Sequence, residues 1–170
     1  MAVWQFRFSL VPRTRLIEHF GEIPKVSDDD IISDLAEGIR LPRDYREILK
    51  PLGSGDPLNR VSDSANWGDY DKGAHITLFD VGTDRTYAWG RINASEWNDD
   101  FPAKVVEFAN LCDCLFFTGN DTIIEPDVES LFVELKSSRA FRFCNNPEEY
   151  LLGDEVTRLN EEIKKKLSDV

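Results

Sequence analysis

Apolar residues in the opening stretch alternate. Trp4, Phe6, Phe8 and Leu10 occupy every second position, with Gln5, Arg7 and Ser9 between them. A period of two puts the first set on one face of a strand and the second on the other, which predicts a strand over residues 2–11. The period then changes. Residues 14–20 fit a short helix before Gly21, and Ser27-Asp28-Asp29-Asp30 supplies an N-cap and an acidic first turn for Ile31, Ile32, Leu35 and Ile39. Their helical spacing predicts a second helix ending near Leu41. Pro42 takes the first position of a third, in which Tyr45, Ile48 and Leu49 recur at three and four. That helix stops before Pro51-Leu-Gly-Ser-Gly-Asp-Pro57.

Residues 51–73 hold no sustained period and read as an irregular loop carrying Trp67. Residues 75–80 and 85–93 are β-rich runs separated by Val81-Gly-Thr-Asp84, the composition of a hairpin turn. Asp99 and Asp100 precede a helical stripe of Phe101, Val105, Val106, Phe108, Ala109 and Leu111, and residues 115–118 form a short strand closed by Gly119-Asn-Asp121. Pro126 and Asp127 open a helix whose Val128, Leu131, Phe132 and Leu135 recur at three and four. Residues 140–144 alternate as a strand, residues 147–152 make a helical turn, and residues 154–167 form a last helix ending in Lys164-Lys-Lys166. The order β-αα-ββ-α-β-α-β-α predicts one α+β domain over residues 1–170. Helices would pack on a largely antiparallel or mixed sheet of about five strands.

A length of 170 residues suits a single domain. No run approaches the roughly 20 apolar residues that span a bilayer, and the best, residues 111–117, contains Asp113. The amino terminus lacks the features of a signal peptide, and the cysteines are Cys112, Cys114 and Cys144, an odd number that favours a reducing compartment. The expected location is therefore the cytosol, with no membrane association.

Candidate chemistry is sparse. His19 and His75 are the two imidazoles; neither accompanies a G-x-S-x-G turn, although His75 opens a strand and would face any adjoining cleft. Cys112 and Cys114 have chelating spacing, but a structural zinc site needs four ligands and no second pair is present, so both read as core residues. Asp69-Tyr-Asp71-Lys-Gly73 starts like a calcium loop, yet Leu78, Phe79 and Asp80 stand where further ligands belong, leaving a turn. Gly53-Ser-Gly55 lacks the ending of a phosphate loop. No catalytic, cofactor-binding or metal-binding residue is assigned, and no cofactor is expected.

Charge is the strongest signal. The chain carries 20 basic and 32 acidic residues, a formal net charge of -12, which argues against direct nucleic-acid binding. Residues 51–150 hold 8 of the basic and 18 of the acidic groups, so 10 of the 12 excess negative charges lie there. Aromatic residues sit among these acids: Trp67 beside Asp69, Tyr70 and Asp71, and Trp97 beside Glu96, Asp99 and Asp100. Aromatic anchors ringed by charge are how binding hot spots are built, and a basic protein is the complement. These eight residues are the candidate partner-binding set.

Trp4-Gln-Phe, Trp67-Gly68 before the hairpin, Arg91-Ile92 at its end, Asp113-Cys114, Ile124-Glu-Pro126 and Ser138-Arg-Ala-Phe-Arg-Phe143 before Asn146-Pro147 follow in an order that resembles small bacterial proteins. Some of those resemble immunity proteins of polymorphic or contact-dependent toxin systems. The resemblance spans residues 2 to 152. It implies a single-domain cytosolic protein that binds a cognate toxin, such as a basic nuclease domain, and blocks its active site without catalysis of its own. No binding residues carry over. Rival readings are a small enzyme with a carboxylate-lined cleft, a nucleic-acid mimic, for which only Asp28 to Asp30 form an uninterrupted acidic run, and an adaptor without a toxin partner.

Overall fold

The computed structural model describes residues 4–53, 64–71 and 73–153. The alternation at the start forms β1 (Gln5–Pro12), followed by α1 (Arg13–Phe20), α2 (Asp29–Leu35) and α3 (Tyr45–Leu49), the last running into a single 3-10 turn, Lys50–Leu52. Three strands follow, β2 (Ala65–Gly68), β3 (His75–Phe79) and β4 (Tyr87–Asn93). Then come α4 (Asp100–Leu111), β5 (Cys114–Thr118), β6 (Ile123–Ile124), α5 (Val128–Ser137), α6 (Arg139–Asn145) and α7 (Pro147–Leu152). The strands form one open antiparallel sheet of six in the order β2-β3-β4-β1-β5-β6. The protein is an α+β domain, as its periodicity predicts.

The two faces of this sheet differ in what covers them. Phe6, Phe8 and Leu10 of β1 join Ile76, Leu78, Ala88, Ile92 and Phe116 on the inner face, where Leu49, Phe101, Val105, Phe108, Leu131, Leu135 and Ala140 from α3 to α6 close the main core. Burial of this apolar set is the main stabilising term. Gly90, opposite Phe8, is required here: a Cβ would lie 2.5 Å from the His75 carbonyl oxygen and closer still to Phe8 Cζ. On the outer face a second cluster, Val11, Leu16, Ile32, Leu35, Leu115, Phe117 and Ile123, lies beneath α1 and α2. Those helices cover the β1–β5–β6 side. Among the described residues no helix lies over the outer face of β2, β3 and β4.

Four elements differ from the periodicity. The second helix ends at Leu35, because Gly38 adopts φ 89° and the N–H groups of Gly38 and Ile39 both donate to the Thr86 carbonyl at 2.9 Å. Ile39 still reaches the core, but from an extended segment rather than a helical turn. Within the expected loop, Ala65–Gly68 is a strand paired with β3, so Trp67 is held in the sheet; residues 54–63 and 72 lie outside the described residues. β6 is a two-residue strand too short to leave a period.

Residues 140–144 form a helix, not a strand. The buried Ser138 side chain accepts the Phe141 N–H at 3.2 Å and donates to the Leu135 carbonyl at 2.6 Å, ending α5 and starting α6 with one hydroxyl. Ala140, Phe141 and Cys144 then turn toward the core at helical spacing. The expected final helix, residues 154–167, lies outside the described residues. Ser138→Ala is expected to destabilise the fold by about 1 kcal/mol, the usual value of an N-cap hydroxyl. A thermal melt should show the midpoint falling by about 3 °C; an unchanged midpoint would refute the double role of the hydroxyl.

Candidate functional site

Strand alternation decides what the outer face of β3 and β4 carries. With Ile76 and Leu78, and Ala88, Gly90 and Ile92, turned inward, the opposite parity of β3 and β4 places His75, Thr77 and Phe79 beside Arg91, Trp89 and Tyr87 on the outer face. The register extends these rows: Arg91 faces Arg7 and Trp89 faces Ser9 across β1. The side chains form a continuous aromatic strip. Tyr87 stacks on Phe79 with ring centroids 4.7 Å apart, and Phe79 lies parallel to Trp89 at 6.5 Å. Trp89 meets His75 edge-on at 5.2 Å, and Tyr70 from the β2–β3 turn covers His75 at 4.7 Å.

Carboxylates border this strip on three sides. At one end the Tyr87 phenol is pushed above its ordinary pKa first by burial and then by Asp80 and Glu37, with Arg85 pulling the other way. Arg85 also pairs with Glu37 at 3.4 Å. At the other end Asp69 lies close enough to His75 to oppose the loss of its basicity. Laterally, Asp29 of α2 shares with Trp89 a cavity of about 290 Å³ that is also lined by Arg7, Ser9 and Phe117. The centre is aromatic, and the margin carries Asp29, Glu37, Asp69 and Asp80 among Arg7, Arg85 and Arg91.

His75 and Arg91 are the anomalies of this face. His75 is 0% exposed; neither ring nitrogen makes a hydrogen bond of good geometry among the described residues, and the Asp69 backbone is the polar group near the ring. Burial, reinforced by the neighbouring Arg91 cation, lowers its pKa to about 4, so the ring is neutral at physiological pH. Arg91 donates to Gln5 Oε1 at 3.0 Å and to the Tyr70 carbonyl, and its guanidinium lies over the Tyr70 ring, 5.4 Å from the centroid. Its Nε has no partner among the described residues. Such a pair pins the β2–β3 turn to the sheet. No nucleophile is bonded to His75, so the geometry gives it no role as a general base.

The eight sequence-predicted residues do not form one face. Trp67 is a correction: it points inward from β2, is 2% exposed and packs edge-on against Tyr45 at 6.0 Å, so no partner reaches it. Its neighbour Tyr70 is 40% exposed on the outer face, and Asp69 and Asp71 lie in the same turn, where Asp69 Oδ1 accepts the Asp71 N–H at 3.0 Å. Trp97 lies on the helical side. It packs on Phe132 of α5 at 4.8 Å, and its indole N–H donates to Asp99 at 2.8 Å. Glu96, Asp99 and Asp100 are exposed around it. The strip itself, Phe79, Tyr87 and Trp89, lies outside that set, within the expected hairpin. Its signal was the outward parity of three aromatics on two paired strands.

The remaining candidate groups have structural roles. Asp28 caps α2 by accepting the Asp30 N–H at 2.9 Å, so the acidic run begins as a helix cap. Cys112 and Cys114 are buried, and burial pushes the Cys112 thiol up to about 12 and the Cys114 thiol further, which keeps both protonated. The half-buried Arg13 binds Asp113 at 3.2 Å and Glu125 at 2.5 Å, and the hydrogen bond to Glu125 holds its carboxyl below the usual carboxylate range. Glu134 of α5 accepts from Thr122 and Asn120 at 2.8 Å each, tying the β5–β6 turn to the helix. Among the described residues no group of three His, Cys, Asp or Glu side chains is placed to hold a metal ion, and no helix is long and apolar enough to cross a membrane.

Comparison of the chain with protein-family models, with curated proteins and with solved structures gave no match.

Proposed function

We propose that the protein is a non-catalytic binding module that docks a basic protein on the outer face of β3 and β4. The observation that carries this reading is the aromatic strip Tyr87–Phe79–Trp89 with Asp29, Glu37, Asp69 and Asp80 at its margin. Stacked aromatic side chains supply apolar contact at little entropic cost. The carboxylate margin and the net charge of -12 steer a basic partner toward it. The resemblance to immunity proteins fits the same class. A cytosolic toxin inhibitor would use such a face to cover the phosphate-binding cleft of a nuclease domain, displacing nucleic acid by mass action. No side chain of the module takes part in a reaction.

The test begins with affinity capture from native lysate at low salt and identification of the retained protein. Trp89→Ala is expected to weaken binding of that protein by more than about tenfold, the loss of a central aromatic anchor. Reversal of Asp69 and Asp71 to Lys should slow association and flatten its salt dependence. Reversal of Asp99 and Asp100, on the helical side, should leave both unchanged. Binding insensitive to Trp89 but lost with Asp99 and Asp100 would move the interface to the other side of the sheet and sink this reading.

A further inference from the structure

The cavity beside Trp89 has a charge pattern that docking does not require. Arg7 reaches it from β1 and Asp29 from the start of α2, while Trp89 and Phe117 supply apolar wall and Ser9 a hydroxyl. Arg7 and Asp29 line the same cavity yet form no ion pair, and neither side chain makes a hydrogen bond among the described residues. Here the two charges come from different elements and remain open to a guest.

A guest with only a cation would satisfy Asp29 and be repelled by Arg7. One with only an anion would meet the reverse. Both are met by a small molecule that carries a carboxylate and an ammonium on one apolar stem. The volume of about 290 Å³ lies just below the range of pockets that take drug-sized ligands, which suits a guest of amino-acid size.

We propose that this cavity binds a free α-amino acid with an apolar side chain. Its carboxylate lies on the Arg7 guanidinium, whose planar fork matches it. Its ammonium lies against Asp29, and its side chain packs on Trp89 and Phe117. The site goes beyond the docking face and needs no protein partner, so it stands or falls separately from the capture experiment.

The test uses the isotope-labelled full chain in solution. L-Phenylalanine and L-leucine are each titrated while the indole N–H of Trp89 and the backbone N–H groups of Ser9 and Gly119 are followed by NMR. The amide of each amino acid, which lacks the carboxylate, and its N-acetyl derivative, which lacks the ammonium, serve as comparisons. At least one free amino acid should produce saturable shifts at these positions, with both capped forms weaker by about tenfold or more. Arg7→Gln should abolish the preference for the free acid over the amide, and Asp29→Asn the preference over the N-acetyl form. Arg7 and Asp29 are exposed, so the spectra of both variants should otherwise match the parent. No saturable shift with either amino acid, equal affinity of the capped forms, or preferences that survive both substitutions would each overturn the proposal.

Discussion

Trp67→Ala is expected to destabilise the fold by about 4 kcal/mol, the usual range for deleting a buried tryptophan side chain. Trp67 is 2% exposed and stands in the main core among Ile76, Tyr45 and Leu49, on the edge strand β2. Truncation removes the indole contacts and leaves a cavity that β2, paired on one side only, can partly close. For a chain of this size the melting midpoint should drop by about 12 °C. Urea unfolding followed by circular dichroism gives the free energy directly. Trp67→Phe should recover more than half of the loss, because an aromatic ring still fills the space. Trp89→Ala, half-buried on the outer face, should lower the midpoint by clearly less than Trp67→Ala. If Trp67→Ala instead unfolded at the parental midpoint and lost partner binding, Trp67 would be a surface anchor and its place in β2 would be wrong.

The contrast between these two tryptophans shows what the sequence could and could not reveal. Every long element with a sustained period was legible: β1, the β3–β4 hairpin, α4 and α5 lie where alternation or three-and-four spacing puts them. Short elements were not. β2 is four residues in a stretch rich in Gly, Ser and Asp, and it is a strand because β3 supplies a partner, which is a tertiary cause. Ala140-Phe-Arg-Phe-Cys144 satisfies both periods over five residues; the Ser138 hydroxyl, three residues before Phe141, decides for helix. A capping serine two positions earlier was the available signal.

The candidate site was legible in kind and misplaced in detail. Acidity surrounding aromatic residues is present, but proximity in sequence selected Trp67 and Trp97, while the fold brings together Tyr87, Phe79 and Trp89 by register. Parity explains the difference. A tryptophan next to acids in sequence has an even chance of facing the core, and Trp67 does. Which part of the outer face α1 and α2 cover depends on their docking over β1, β5 and β6 rather than over β3, and that choice is not encoded in any local pattern. The Arg7 and Asp29 pair is less legible still, since it joins a strand to a helix through packing alone.

Acid should weaken the fold through His75. Unfolded, its imidazole takes a proton near the ordinary value of 6.5; folded, it does so only at about 4. Between those values the unfolded chain binds more protons, so stability falls as pH is lowered. The contribution is complete above about pH 6.5, is lost progressively toward about pH 4, and is constant below. It amounts to up to about 3 kcal/mol. Burial is the main cause and the Arg91 cation the second, while Asp69 opposes both; Tyr70 and Trp89 wall the ring on its remaining sides. His75→Phe keeps those ring contacts and removes two buried nitrogens that make no hydrogen bond of good geometry among the described residues. At neutral pH the variant should therefore be at least as stable as the parent. Urea midpoints measured from about pH 7.5 to about pH 4.5 should show the parent losing more than the variant by that same margin. Carboxylate titration is common to both proteins and cancels in the difference. Parallel pH profiles would mean that the β2–β3 turn opens and hydrates His75 before the ring needs its proton, and that Tyr70 and Arg91 do not hold it shut.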